Sequence, residues 1–129
     1  MASKQKTVIV TGASQGIGAG VVQSFLDRGY NVVANSRNIR KSDTFIESDH
    51  LALVDGSIGE SAVASKIVET AVQKFGSIDA LVNNAGINDG VNLEHGDSER
   101  FVASLRHFIA LISARGLHVR QLPPSFAFG

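Results

Sequence analysis

Cysteine and tryptophan are absent from this chain of 129 residues, and proline occurs only twice. Without cysteine there is no disulfide scaffold, no thiolate nucleophile and no thiolate metal site. An excess of charge of one sign is also lacking, because twelve basic residues balance twelve acidic ones. No long-range field therefore draws in nucleic acid or an anionic membrane surface, and no basic patch carries interleaved aromatics. Long apolar runs are missing too: the segment after Met1–Lys6 reaches a glycine within a few residues, too soon for a signal-peptide core or a membrane span. These absences set the expectation of a soluble, cytoplasmic protein with no nucleic-acid partner, no membrane partner and no metal site. The length fits a single domain, 1–129, able to bury a core.

Glycine is plentiful, and its placement organises the chain. Thr7-Val8-Ile9-Val10-Thr11 is an apolar run that breaks into Gly12-Ala13-Ser14-Gln15-Gly16-Ile17-Gly18 and leads into a helical pattern. The spacing is Gly-x-x-x-Gly-x-Gly, with a strand before it and a helix after it. Gly12 suits a tight turn, Gly16 lets backbone approach a phosphate, and Gly18 lets the helix pack close to the strand. The free N–H groups of the helix start then attract negative charge. Three glycines alone also fit an ordinary Gly-rich turn; the strand–loop–helix context favours a dinucleotide pyrophosphate site.

The rest of the pattern alternates strand and helix. Ile17, Val21, Val22, Phe25 and Leu26 predict one apolar stripe on a helix over 16–28, stopped at Gly29. Residues 30–36 read as a second strand, reached by a right-handed helical crossover. Residues 38–49 are polar without a period and predict a loop with at most a short helix. A third strand covers 50–54 and ends at Asp55-Gly56. Val63, Ile67, Val68, Ala71, Val72 and Phe75 predict a helix over 60–75 that stops at Gly76, and Ile78 to Val82 a fourth strand running into Asn83-Asn84-Ala85-Gly86.

The end of the second strand bears on cofactor choice. A carboxylate there accepts hydrogen bonds from the adenosine ribose of NAD and repels a 2′-phosphate. This chain has Ser36 and Arg37, with Arg40 and Lys41 adding positive charge, which favours NADP while leaving NAD possible. The same cations also fit a solvated loop. Asp55, just past the third strand, is suited either to accept from an adenine amino group or to cap a turn.

Thr11-Gly12-x-x-x-Gly16-x-Gly18, then Asp55, then Asn83-Asn84-Ala85-Gly86, at these separations, resembles the short-chain dehydrogenase/reductase family over about residues 5–87. The resemblance implies a Rossmann-like doubly wound parallel α/β sheet, truncated to four to five strands with flanking helices. It assigns the pyrophosphate to Gly12, Ser14, Gly16, Ile17 and Gly18, the adenine to Val54 and Asp55, and the cofactor wall to Asn84, Ala85 and Gly86. Ser36-Arg37-Asn38 looks like NADP-preferring members, although Gln15 stands where such members often carry a basic residue. The implied reaction is hydride transfer between NAD(P)(H) and an alcohol or carbonyl substrate.

The family's catalytic pattern is not matched. Its proton donor is a Tyr followed four residues later by a Lys, because a phenol with a pKa of about 10 needs a nearby cation to act at neutral pH. The single tyrosine here is Tyr30, and position 34 is Ala. Tyr30 reads as a packing residue. The family's helical Asn falls near Arg106, His107 and Phe108, and Ser125 is a weak match to its catalytic Ser. His50, His95, His107 and His118 match no zinc spacing and read as surface or interface positions. No catalytic residue is assigned.

Residues 88–129 therefore read as a divergent or truncated tail. Asp97 suits an N-cap, and Phe101, Leu105, Phe108, Ile109 and Ile112 share one face of a helix ending near Arg115-Gly116. Residues 117–122 imitate a fifth strand before Pro123-Pro124. A fragment, a changed reading frame or an internal deletion each accounts for this tail, and the missing strands of the family pattern predict an open sheet edge and self-association. Three functions stay open: an oxidoreductase acting on a small-molecule substrate once the missing site is supplied, a non-catalytic NADP-binding module, or an incomplete domain that binds nothing.

Overall fold

Among the described residues five parallel strands carry the molecule, and the side chains of the first four in chain order alternate between two buried faces. The computed structural model describes residues 5–14, 16–84, 106–117 and 119–122. In chain order the elements are β1 (Thr7–Thr11), α1 (Gly16–Asp27), β2 (Asn31–Ser36), a 3-10 turn (Ile39–Lys41), β3 (Leu51–Asp55), α2 (Ser61–Phe75), β4 (Ala80–Asn83) and β5 (Arg120–Gln121). Residues 106–114 are helical and form α3. The strand order is β3-β2-β1-β4-β5, all pairs parallel.

The β-branched strands explain the two-layered core. Val8, Val10, Val32, Ala34, Leu51, Leu53, Ala80 and Val82 meet Val21, Val22 and Phe25 of α1 on one face. Ile9, Val33, Ala52, Val54 and Leu81 meet Val63, Ala64, Ile67, Val68 and Ala71 of α2, with Phe108 and Ile112 of α3, on the other. A sheet covered on both faces needs apolar residues at every position, which is why β1 to β4 read as continuous hydrophobic runs. Each fully buried Val, Leu, Ile or Phe side chain contributes about 1.5–3 kcal/mol.

Helix ends follow the sequence signals. The Gly29 N–H donates to Leu26 O and the Tyr30 N–H reaches back to Phe25 O, both at 3.0 Å, closing α1 in a Schellman-like turn. Tyr30 then packs edge-on against Phe25, ring centroids 4.8 Å apart. The α2 end is closed by the Gly76 N–H on Ala71 O and Val72 O. Arg115, just past α3, forms an ion pair with Glu69 of α2.

At the N-terminal end of the sheet, Asp79 ties three elements together. Its Oδ2 accepts the Thr7 N–H at 2.8 Å and the Ser77 hydroxyl at 3.2 Å. Its own N–H donates to Thr7 O, and its carbonyl accepts the Arg120 N–H at 3.0 Å. This knot fixes the starts of β1, β4 and β5 in register.

Two details depart from the sequence reading. Ile17, expected on the apolar stripe of α1, is 51% exposed, because it stands in the first helical turn beyond the reach of the sheet. The fifth strand shrinks from 117–122 to Arg120–Gln121, both exposed, since these polar residues offer the core nothing to bury. The α3 stripe is buried at Phe108 and Ile112, whereas Asp97, Phe101 and Leu105 lie outside the described residues.

Candidate functional site

Strand order reverses at β1: the chain leaves it for β2 on one side and returns to β4 on the other. The carboxyl ends of β1, β2, β3 and β4 meet there, and such a crevice is where open α/β sheets take ligands. The glycine loop connects β1 to α1 at this point, with φ of 63° at Gly12 and 57° at Gly16, a region that favours glycine. At Gly18 a Cβ would sit 1.9 Å from Gly12 O and 2.8 Å from Asn84 Nδ2, so the loop, α1 and β4 close on one another only over a bare backbone. The first turn of α1 carries no acidic residue, which leaves the positive end of its dipole uncancelled.

A hydrogen-bond lace joins the ends of β1 and β4. The Thr11 hydroxyl donates to Asn83 Oδ1 at 2.5 Å and accepts the Asn84 N–H at 3.0 Å. Asn84 Nδ2 donates to Gly12 O at 3.2 Å, which holds the glycine loop open from below. The other side-chain atom, Asn84 Oδ1, is buried without a hydrogen-bond partner among the described residues. A second atom without a partner among the described residues, Ser36 Oγ, lies at the end of β2. Buried polar atoms without partners are uncommon in folded proteins and mark places where a ligand or water completes the bonding.

The ends of β2 and β3 are built with similar economy. Ser36 and Asp55 are paired in register. Asn35, buried in β2, donates through Nδ2 to Val54 O at 2.9 Å and Gly56 O at 3.0 Å, and its own carbonyl accepts the Ala13 N–H at 3.0 Å. The 3-10 turn places the Arg40 N–H 3.0 Å from Asp55 Oδ1 and Arg40 Nη2 3.0 Å from Leu53 O. Arg40 Nη2 also meets Glu47 Oε1 at 2.6 Å. Arg40 is thus committed to a carboxylate and a carbonyl, and the positive charge expected from it at the cofactor site is largely neutralised in place. Further along, the Thr44 hydroxyl donates to Ser14 O at 3.0 Å, joining this segment to the glycine loop.

Of the residues expected at the site, Gly12, Ser14, Gly16, Ile17 and Gly18 lie on the loop and the first turn of α1, Ser36 and the exposed Arg37 at the end of β2, Asp55 at the end of β3 and Asn84 just past β4. Val54 is different: its side chain is buried in the core and its carbonyl is taken by Asn35. Ala85 and Gly86 lie outside the described residues, as do Gln15, His95, His118 and Ser125. His107 is exposed on α3, and His50 Nδ1 lies 2.9 Å from Asn31 Oδ1 at the far end of the sheet. Among the described residues no cluster of three or more acidic or His side chains is placed to hold a metal ion, and no helix is long and apolar enough to cross a membrane. The glycine cradle and the two unpartnered buried oxygens fit a dinucleotide.

A parallel sheet in this order, with a glycine loop at its switch point, defines a Rossmann-like dinucleotide-binding fold. The family model for short chain dehydrogenases matches residues 6–109, which extends beyond the 5–87 carried by the motifs. The chain is 40% identical over 89 residues to the Dehydrogenase/reductase SDR family member 4 of Caenorhabditis elegans, covering 64% of this chain and 34% of that protein. It is similar in structure to the 3-ketoacyl-(acyl-carrier-protein) reductase from Brucella melitensis complexed with NADH, with TM-score 0.64, 30% identity and coverage of 87% and 49%. A short-chain dehydrogenase from Streptomyces avermitilis shares the fold at TM-score 0.73 and 21% identity, over 94% of this chain and 50% of that one. The chain belongs to the short-chain dehydrogenase/reductase family of oxidoreductases, whose cofactor is a nicotinamide dinucleotide. It spans about a third of the length of the Caenorhabditis elegans relative and half of the two solved chains.

Proposed function

We propose that these residues form the dinucleotide-binding half of an NADP-linked short-chain oxidoreductase, and that this chain by itself binds the cofactor without turning over substrate. The observation that carries the reading is the pair of buried oxygens, Ser36 Oγ and Asn84 Oδ1, that have no partner among the described residues, on either side of a loop that Gly18 keeps clear of side chains. Gly12, Ser14, Gly16 and Ile17 with the α1 N-terminus take the pyrophosphate. Ser36 and Arg37 take the 2′-phosphate, Asp55 the adenine, and Asn84, Ala85 and Gly86 the wall of the cleft.

The NADP preference is supported by a hydroxyl and a guanidinium where an NAD-selective site has a carboxylate. Ile17, half exposed in the first turn of α1, offers the cofactor an apolar surface rather than contributing to the core. The dinucleotide, when bound, donates or accepts the hydride. The chain's own residues bind and orient it, and the 129 residues contain no Tyr-x-x-x-Lys to move the accompanying proton. Catalysis on an alcohol or carbonyl then requires groups from outside these residues.

The test is calorimetric titration of the purified chain with NADPH and NADH, alongside an Arg37→Ala variant. The expected result is NADPH binding at least about tenfold tighter, with the preference lost in the variant; a charge-assisted hydrogen bond accounts for a difference of that size. Equal affinities would overturn the NADP assignment, and binding of neither would overturn the dinucleotide reading. Hydride transfer to an added carbonyl compound would overturn the claim that the chain alone is inactive.

A further inference from the structure

We propose that Arg40 is a positioning residue for Asp55, held in place by Glu47, and that residues 39–47 form a strap that pre-sets the adenine side of the cleft. The inference rests on the dinucleotide-binding reading above. Its starting point is that one residue grips β3 twice. The Arg40 main-chain N–H donates to Asp55 Oδ1 at 3.0 Å, while its side chain turns back to donate to Leu53 O at 3.0 Å. Glu47 Oε1, 2.6 Å from the same Nη2, holds the guanidinium in that orientation.

The strap is anchored at both ends. Ile39 is fully buried in the α1 face of the core, and Phe45 packs partly against the same cluster. Between them Thr44 bonds Ser14 of the glycine loop. The strap therefore links the residue assigned to adenine with the loop assigned to pyrophosphate. Because the Arg40 main-chain N–H occupies Asp55 Oδ1, the carboxylate is oriented with Oδ2 left to accept from an amino group. A group fixed before binding loses little freedom when the ligand arrives.

Exposure separates this role from a purely structural one. The Arg40 and Glu47 side chains are 55% and 38% exposed, and ion pairs of that kind add little to folding stability. Arg40 also covers an outer-edge carbonyl of β3, as Ser48 and Lys74 do at Leu51. Edge covering alone would affect every ligand equally. Positioning of Asp55 affects only ligands that carry the adenine amino group.

The experiment measures dissociation constants of the full chain for NADPH and for its deamino analogue, in which hypoxanthine carries a carbonyl in place of that amino group. Arg40→Ala and Glu47→Ala keep the main-chain N–H of residue 40 but release the side-chain grip on Leu53 O that holds it against Asp55; each should weaken NADPH about five- to tenfold, as the Asp55–adenine hydrogen bond loses its alignment, and change the deamino analogue less than about twofold. Arg40→Lys should recover part of the loss. In an Asp55→Ala background, Arg40→Ala should cause no further loss, because the two residues act as one unit. Equal weakening of both ligands, or additive losses with Asp55→Ala, would overturn the proposal and leave Arg40 as an edge cover. Should Arg40→Ala fail to fold, Glu47→Ala carries the same comparison. A wild-type chain that binds neither ligand would overturn this inference together with the dinucleotide reading, whereas NADPH binding that ignores the adenine amino group would overturn this inference alone.

Discussion

The Thr11 hydroxyl donates to Asn83 Oδ1 while accepting the Asn84 N–H, so a single small side chain fastens β1 to β4 at the mouth of the cleft. Valine has the same shape without the hydroxyl. Thr11→Val should leave the Asn84 N–H buried without its partner and lower the unfolding free energy by about 1–3 kcal/mol. Urea unfolding of the two chains measures this, and Thr11→Ser should retain most of the stability.

Gly18 and Gly16 should respond differently to alanine. Gly18→Ala places a methyl 1.9 Å from Gly12 O, which forces α1 away from the loop. Overpacking of this kind costs about 1–3 kcal/mol, and dinucleotide binding should be abolished along with it. Among the described residues nothing lies within 4 Å of the would-be Cβ of Gly16, so Gly16→Ala should carry only the left-handed backbone penalty, about 1–2 kcal/mol. A loss of stability at Gly16 larger than at Gly18 would contradict this account.

Ser36→Asp reverses the charge logic at the end of β2. The introduced carboxylate accepts ribose hydroxyls and repels a 2′-phosphate. We expect NADPH affinity to fall by at least about tenfold, with NADH affinity unchanged or improved, the difference reflecting a lost phosphate contact. Fluorescence titration with both cofactors checks it, and an undiminished NADPH affinity would rule Ser36 out as a 2′-phosphate ligand.

Asp79 provides the control for these variants. It sits at the opposite end of the sheet from the cleft, yet its side chain accepts two hydrogen bonds and its main chain joins β1, β4 and β5. Asp79→Ala should cost about 1–3 kcal/mol by leaving the buried Thr7 N–H unpaired. Dinucleotide affinity of the folded fraction should stay the same, as measured by calorimetry well below the thermal midpoint.

Most of the scaffold is legible in the sequence because its signals are local. The apolar runs of β1 to β4, the 3.6-residue stripes of α1 and α2, and the glycines that end both helices each follow from neighbouring residues. Gly18 and Asn84 are visible through their motifs, although their mutual contact is not. The strap is the opposite case: Arg40, Thr44 and Glu47 lie in a polar stretch without a period, and their roles come from partners at Leu53, Asp55 and Ser14. Asn35 is hidden for a related reason, since nothing in the polar end of β2 reveals that its side chain bonds the carbonyls of Val54 and Gly56. β5 is obscure because pairing, with almost no burial, defines it.

The covering of β3 by Arg40, Ser48 and Lys74 also sets a limit on assembly. Strand-by-strand polymerisation requires a donor edge and an acceptor edge on each subunit. Here one border of the sheet is already blocked by side chains and by the segment before β3, and among the described residues β5 is the border left for addition. Two copies joined border to border would have no further strand to offer, so any self-association through the sheet should stop at a two-fold pair rather than grow into fibres.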